Sequence, residues 1–489
     1  MQRIYKTLPI LTLAFGMMAC TKGFEDMNVN PNESENINPQ FLLSTTLIAT
    51  AYDYQKDAYY DKPASAGRYI TLVRNEGNDK FDWGPQNWDG FYSKLSTNKN
   101  MMDLATASGE KQYIALGKIL KAFNFAYTSD LYGDIPYSEA LMSKESNIVH
   151  PKYDEQKNLY PDLLKELREA NDLLGGELSA IDKKSDAMYG GVALKWRKFA
   201  NSLRLRLLLR MSKGYPQAFT EMQEIVGNKT KYPIFESNAD NAEIKYLGDI
   251  GANSWPGGPK ANAFTEFDKR KPSKEIVDAL RLRNDPRLQV WIAPVDQPVG
   301  GLVDPNLYVG VPNAVPAPYD YNGGTPHISR LTALFNSNSD PMLSASMMTY
   351  AEVCFILAEA LQAGKITVAG ETAESLYLKG IGANMKYYGV DQKAINDHYY
   401  DQASVKYNGT LKQLIEQKWI AMFLKGAEGW FDYRRTGFPQ FVPGPLAPGG
   451  IPKRYIYPDA ERAYNEAAYQ KALTVFGEDK QTTLMWYLK

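Results

Sequence analysis

The chain has 489 residues, with 55 basic and 56 acidic side chains and a formal net charge of −1. A charge so close to zero, without long basic runs, leaves no electrostatic footprint for DNA or RNA. Three histidines (His150, His327, His398) and two cysteines (Cys20, Cys354) cannot build a His- or Cys-rich zinc site. No metal or cofactor is therefore assigned, although carboxylate-only cation sites stay open.

Arg3 and Lys6 precede a short apolar stretch, Leu8 to Met18, that runs into Ala19-Cys20. This is the pattern of a secretory signal peptide over residues 1–19. It is too short for the ~20 apolar residues that a spanning helix needs. Cys20 directly after Ala19 resembles the bacterial lipobox, which implies acylation of its thiol, and residues 20–37, rich in Asn, read as a tether. The body is then residues 38–489, attached to the membrane through the N-terminal lipid only. Cys354, among Val353, Phe355 and Ile356, reads as a small buried hydrophobe.

Asn38-Pro39 looks like a helix start, and Gln40 to Tyr59 keeps apolar residues at helical spacing. Pro85–Ala107 and Glu110–Asp130 read as a helical hairpin, followed by helices over Asp154–Leu174 and Val192–Met211. The last carries Arg204, Arg206 and Arg210 between leucines, so these guanidinium groups must find carboxylates or carbonyls. Tyr232 to Tyr321 is rich in Pro, Gly and Asn and predicts long surface loops, with about 232–325 the most irregular part. Helix is expected again at Pro341–Ala363, Thr372–Tyr387 and Thr410–Leu424. Helical pairs at roughly 40-residue spacing suggest a tetratricopeptide-like solenoid. The expected fold is mostly α: a tetratricopeptide-like helical-hairpin scaffold with a large loop-rich irregular half, as a single domain with insertions.

Motifs for serine hydrolases, zinc proteases, P-loops and dinucleotide binding are absent. Two acid pairs, Asp130 with Asp134 and Glu428 with Asp432, have the residue types of a glycosidase. Capping or turn hydrogen bonds are the preferred reading of the first pair, and ion pairs with Arg434 and Arg435 that of the second. Tyrosine, at 33 residues against 19 Phe and 8 Trp, favours rings that keep one polar end, as at wet binding surfaces.

Several blocks resemble the SusD/RagB family of outer-membrane nutrient-binding lipoproteins of Bacteroidetes. Gly133-Asp134-Ile135-Pro136-Tyr137 is similar to the family's Gly-Asp-x-Pro-Tyr block, and Trp196–Arg206 to its next helix. Asn284-Asp285-Pro286-Arg287, Thr349–Glu352, Leu357–Ala360 and Gln417–Ala421 follow in order. Glu428–Gly437, with its Tyr-Arg-Arg-Thr-Gly ending, and Ile451–Pro458 complete the set. The resemblance implies a non-catalytic, cell-surface glycan-binding lipoprotein of the outer membrane. Its partner would be a TonB-dependent SusC-like barrel to which oligosaccharide is delivered. A peptide ligand within the same architecture is the alternative, and a surface glycoside hydrolase a further one.

Asn201, Arg204, Asp432, Arg434 and Arg435 in the matched blocks read as buried polar ties. The family pattern places the binding residues on the loop after the first helix and in the irregular region, here Arg74–Trp88 and Gly251–Asn322. Within these, Arg74, Asn75, Asp79, Trp83, Trp88, Trp255, Tyr319, Tyr321 and Asn322 have suitable chemistry. Aromatic faces pack on the C–H faces of a pyranose, while Asn, Asp and Arg hydrogen-bond its hydroxyls. Trp83 and Trp255, beside Gly84-Pro85 and Pro256-Gly257, are expected to be exposed, whereas Trp88, next to Phe91 and Tyr92, could equally be core.

Overall fold

Pro39 has no amide proton to lose at a helix start, and helix α1 begins there, running Pro39–Tyr60. The structure is a computed structural model that describes residues 38–74, 77–297, 307–390, 395 and 397–489. The expected signal peptide (residues 1–19), Cys20 and the expected tether (residues 20–37) lie outside the described residues. Among the described residues no helix is long and apolar enough to cross a membrane.

Helices α2 (Asp89–Ser108) and α3 (Lys111–Tyr132) form the expected hairpin. Gly109 closes α2 at φ +74°, a left-handed position that glycine takes without steric cost. α4 (Gln156–Leu174) lays Leu159, Tyr160, Leu163, Leu167, Ala170 and Leu174 on one buried face against α3. α5 (Ala193–Met211) packs on α4, and α6 (Tyr350–Gln362) packs on α5. α7 (Ala373–Tyr387) and α8 (Leu411–Ala421) continue the succession, with Thr372 and Thr410 capping their first turns through side-chain oxygens. α9 spans Glu428–Thr436. Neighbouring helices in sequence are thus neighbours in space over most of the body, as stacked helical pairs require.

One expected element is corrected. The stretch 341–349 is not the start of a helix: Ser344–Met348 is a strand paired antiparallel with Ala242–Lys245. A five-residue run of small and apolar side chains, Ser-Ala-Ser-Met-Met, buried at every position, is too short to show a period that separates strand from helix.

α3 and α5 are surrounded by protein: residues 122–132 and 199–211 are buried without a break. The arginines of α5 are therefore obliged to pair. Arg206 donates twice to Glu352 at 2.6 Å and to the Met347 carbonyl at 2.8 Å. Arg210 bridges Asp130 on α3 and Glu428 on α9. Burial alone would push the Glu428 carboxyl up, but Arg206 and Arg210 outweigh it and hold it below its ordinary value. Asn201 ties α5 to Asn171 of α4 and to the Pro233 carbonyl. Arg204 faces Glu221 at 3.6 Å. Cys354 is buried on α6, and burial pushes its thiol up to about 12, which makes it inert.

Candidate functional site

Strand β1 (Ile70–Leu72) runs antiparallel to β2 (Arg270–Pro272), with Ile70 opposite Pro272 and Leu72 opposite Arg270. The pairing delivers the chain beyond β1, starting with Val73 and Arg74, to the turn at Pro318–Gly323. Val73 joins Val311 and Ile328 in a small apolar cluster, and the half-buried Tyr321 packs on it. The Arg74 guanidinium stands 4.6 Å from the centre of the Tyr319 ring, and Tyr319 is 36% exposed. The neighbouring Thr325 hydroxyl and Arg74 guanidinium lower the pKa of the Tyr319 hydroxyl. Asn322 adopts φ +56° and donates to the His327 carbonyl at 2.7 Å, which closes the turn. Below this rim Lys271 of β2 is buried; burial pulls its ammonium pKa down although Asp268 accepts from it at 2.6 Å.

The structure thus gathers Arg74, Tyr319, Tyr321 and Asn322 from the sequence-derived set into one exposed rim: a cation, two rings and an amide, supported from behind by apolar packing. Asn75 lies outside the described residues.

The other four positions are corrected. Trp83 is 7% exposed, with its ring edge-to-face against Phe81, Trp430 and Tyr455 at 5.5–5.7 Å and its N–H donating to the Asn78 carbonyl at 2.9 Å. Trp88 is buried among Tyr92, Tyr132, Tyr153 and Tyr457. Trp255 is 2% exposed, packs on Tyr59, Tyr246 and Phe335, and donates to the Phe335 carbonyl at 3.1 Å. Adjacent Gly and Pro bend the backbone there but turn the indoles inward, where each buries its area and still satisfies its N–H. Asp79 is buried too. Its carboxylate accepts from the Leu72 amide at 2.8 Å and from Asn313 at 3.0 Å, and burial pushes it up to about 6.

All four carboxylates of the acid pairs are buried. Asp130 is not a turn cap: it accepts from Tyr160 at 2.5 Å and Tyr487 at 2.9 Å and pairs with Arg210. Asp134 does serve a turn, accepting from the Gln156 amide at 2.8 Å. Asp432 pairs with Lys418 at 2.7 Å and Arg435 at 2.9 Å. Glu428 pairs with Arg210 and Arg206 rather than with Arg434 or Arg435. Among the described residues, no cluster of three or more His, Cys, Asp or Glu could hold a metal ion.

A concave feature elsewhere carries residues that sequence reasoning missed. A groove of about 720 Å³ runs between the outer side of α1 and the segment 246–262. Ile48, Tyr52, Lys56 and Tyr60 line it from the helix, and Tyr246 and Asn262 from the segment. Their spacing of four along α1 was legible as a second helical stripe beside the core stripe of Leu43, Leu47, Tyr54 and Ala58.

Comparison with known proteins places this architecture. Residues 31–458 match the SusD-like family described as "Starch-binding associating with outer membrane". A crystal structure of a SusD homologue from Bacteroides fragilis is 27% identical, covers 93% of this chain and 100% of its own, and superposes with a TM-score of 0.79. A chitin-binding protein is 25% identical over 92% of this chain and 100% of its own, with a TM-score of 0.77. A chitin-binding SusD homologue from Flavobacterium johnsoniae, at 23% identity, shares the fold over 91% of this chain and 98% of its own, with a TM-score of 0.75. No curated protein sequence matches the chain.

Proposed function

The chain belongs to the SusD-like family, and from that membership we propose that it is a non-catalytic glycan-binding lipoprotein of the cell surface. It captures oligosaccharide and passes it to a TonB-dependent SusC-like transporter in the outer membrane. The carrying observation is the family match over 31–458, and the chitin-binding relative of the same fold supports the ligand class. The lipid on Cys20 supplies the anchor, with residues 1–19 as signal and 20–37 as tether.

The capturing surface is the rim of Arg74, Tyr319, Tyr321 and Asn322. Tyr319 offers a ring to the apolar face of a sugar, and the Arg74 guanidinium, stacked over that ring, brings donors for its hydroxyls. The rim sits on β1 and β2 and on a closed turn, so its groups are held in place before ligand arrives.

Calorimetry of the full chain in detergent with maltoheptaose and chitohexaose tests this. Binding of at least one sugar is expected, with Arg74→Ala and Tyr319→Ala each weakening it about tenfold and leaving the melting temperature unchanged. Absence of binding to both sugars, preference for peptides, or release of shorter sugars on incubation would each overturn the proposal.

A further inference from the structure

We propose that the groove between α1 and residues 246–262 is a second oligosaccharide-binding site, separate from the Arg74–Tyr319 rim. The inference rests on the glycan-binding reading above and adds to it a site with its own residues.

Helix α1 carries two aromatic stripes. Its inward stripe, with Tyr54 and Tyr59, belongs to the core. Its outward stripe is Thr45, Ile48, Tyr52, Lys56 and Tyr60, at half-buried or exposed positions, and a purely structural helix has no need of tyrosines there. The Tyr52 and Tyr246 rings lie 4.7 Å apart at 34°, forming one continuous aromatic wall. Tyr60 stands further along, beneath the Arg270 guanidinium at 3.4 Å.

Polar groups are set among these rings in two ways. Some are fixed: Asn262 donates to the Pro256 carbonyl at 2.8 Å, and its side-chain oxygen lies 3.1 Å from the Tyr60 hydroxyl. Others are unused. Lys56 makes no ion pair or hydrogen bond among the described residues, and neither does the Tyr52 hydroxyl. The hydroxyl of Tyr246, a residue buried against Tyr52, also has no partner among the described residues. A buried hydroxyl without a partner carries a desolvation penalty, which a ligand hydroxyl reached by a small shift of the Tyr52 ring would remove.

Size and lining both favour a sugar. About 720 Å³ lies within the range of ligand pockets. The walls are a helix and a turn segment with a short 3₁₀ piece at Gly251–Asn253, which present no strand edge for an extended peptide to join. Tyrosine faces with scattered single donors suit pyranose rings. The site also has a structural link to the rim. Tyr60 donates to Glu266 at 2.7 Å, and the short helix Phe264–Asp268 that carries Glu266 also carries Asp268, the partner of Lys271 below the rim.

The test uses full-length protein with Arg74→Ala and Tyr319→Ala combined, which disables the rim, and the probes maltoheptaose and chitohexaose. Residual binding is expected, and adding Tyr52→Ala should weaken it about tenfold. Lys56→Ala, at an exposed unpaired position, should weaken it about threefold and provides a second variant should Tyr52→Ala lower the melting temperature. Acylation of Lys56 in the rim-disabled protein should slow at least threefold on saturation with sugar. If wild type binds sugar while the rim-disabled protein neither binds it nor shields Lys56, the groove proposal is overturned and the glycan reading stands. If wild type binds neither sugar, both fall. Shielding of Lys56 by an extended peptide and not by sugar would also overturn the groove proposal.

Discussion

Trp83→Ala separates a core indole from a sugar platform. The ring meets Phe81, Trp430 and Tyr455 edge-on, and its N–H is spent on the Asn78 carbonyl. Truncating a buried Phe or Trp to Ala costs about 3–5 kcal/mol, depending on how far the walls can close over the void. Here they close poorly. Phe81 is fixed at φ +58°, and Trp430 is held by its own N–H, which donates to the Pro452 carbonyl at 2.8 Å. The loss should therefore fall in the upper part of that range, about 4–5 kcal/mol. Because the rim residues lie elsewhere, sugar affinity measured well below the melting temperature should stay within twofold of wild type. Urea denaturation and calorimetry on Trp83→Ala and Trp83→Phe read both quantities, with Trp83→Phe, which keeps most of the buried area, falling between. A Trp83→Ala protein of wild-type stability that has lost its affinity for sugar would refute the reasoning and return the indole to the site.

Arg434 is buried, donates to the Asp130 carbonyl at 2.8 Å and the Lys453 carbonyl at 2.6 Å, and lies over Trp430 and Phe431, so Arg434→Ala should cost about 3 kcal/mol or more, read as a lower urea midpoint with unchanged sugar affinity. Asp57 is pushed up to about 7 by burial and by its neighbours Asp61 and Asp53, against the Tyr127 hydrogen bond and Lys94. The folded state then binds more protons than the unfolded one, so stability should fall as pH rises from about 4 to about 7. Asp79 and Asp134, each pushed up to about 6 by burial, act in the same direction. Asp57→Asn should therefore flatten, without abolishing, the decline of melting temperature over that window; an unchanged slope would rule Asp57 out as a contributor. Cys20→Ala should leave a folded protein that no longer fractionates with the outer membrane, and retention there without its barrel partner would refute acylation as the anchor.

Helices were legible wherever their apolar face had a clear period. Leu159, Leu163, Leu167 and Leu174 mark one side of α4, and the sequence-derived bounds miss its start by two residues. Where period was missing, legibility failed, as at Ser344–Met348. Side-chain direction in the loops was less accessible still. Gly84 and Pro85 announce a turn, yet the partners that bury Trp83 are Trp430 and Tyr455, more than 340 residues away in sequence. Trp255 is likewise covered by Tyr59 and Phe335. Local turn chemistry speaks about the backbone and leaves the destination of a large ring to tertiary packing. Asp79 has the right chemistry for a sugar hydroxyl, but the Leu72 amide reaches it first. The outward stripe of α1 has a regular spacing of four, yet spacing alone does not say that residues 246–262 lie across from it.

The blocks that carry the family resemblance and the groups proposed to touch sugar are different residues, and electrostatics explains the division. Arg206, Arg210, Arg434, Glu352 and Glu428 form ties in which each buried charge or carbonyl depends on a partner from another helix. Removing one partner strands the other at about 3–5 kcal/mol, so such residues can change only together. Arg74, Tyr319 and Asn322 carry no such obligation: they are exposed, and truncation at the rim strands no buried charge. A scaffold with interlocked charges inside and independent side chains on its rim can exchange one sugar specificity for another without disturbing its fold. The same reasoning applies to the outward stripe of α1, where Tyr52 and Lys56 can be replaced one at a time while the inward stripe of Leu43, Leu47 and Tyr54 holds the helix to the core.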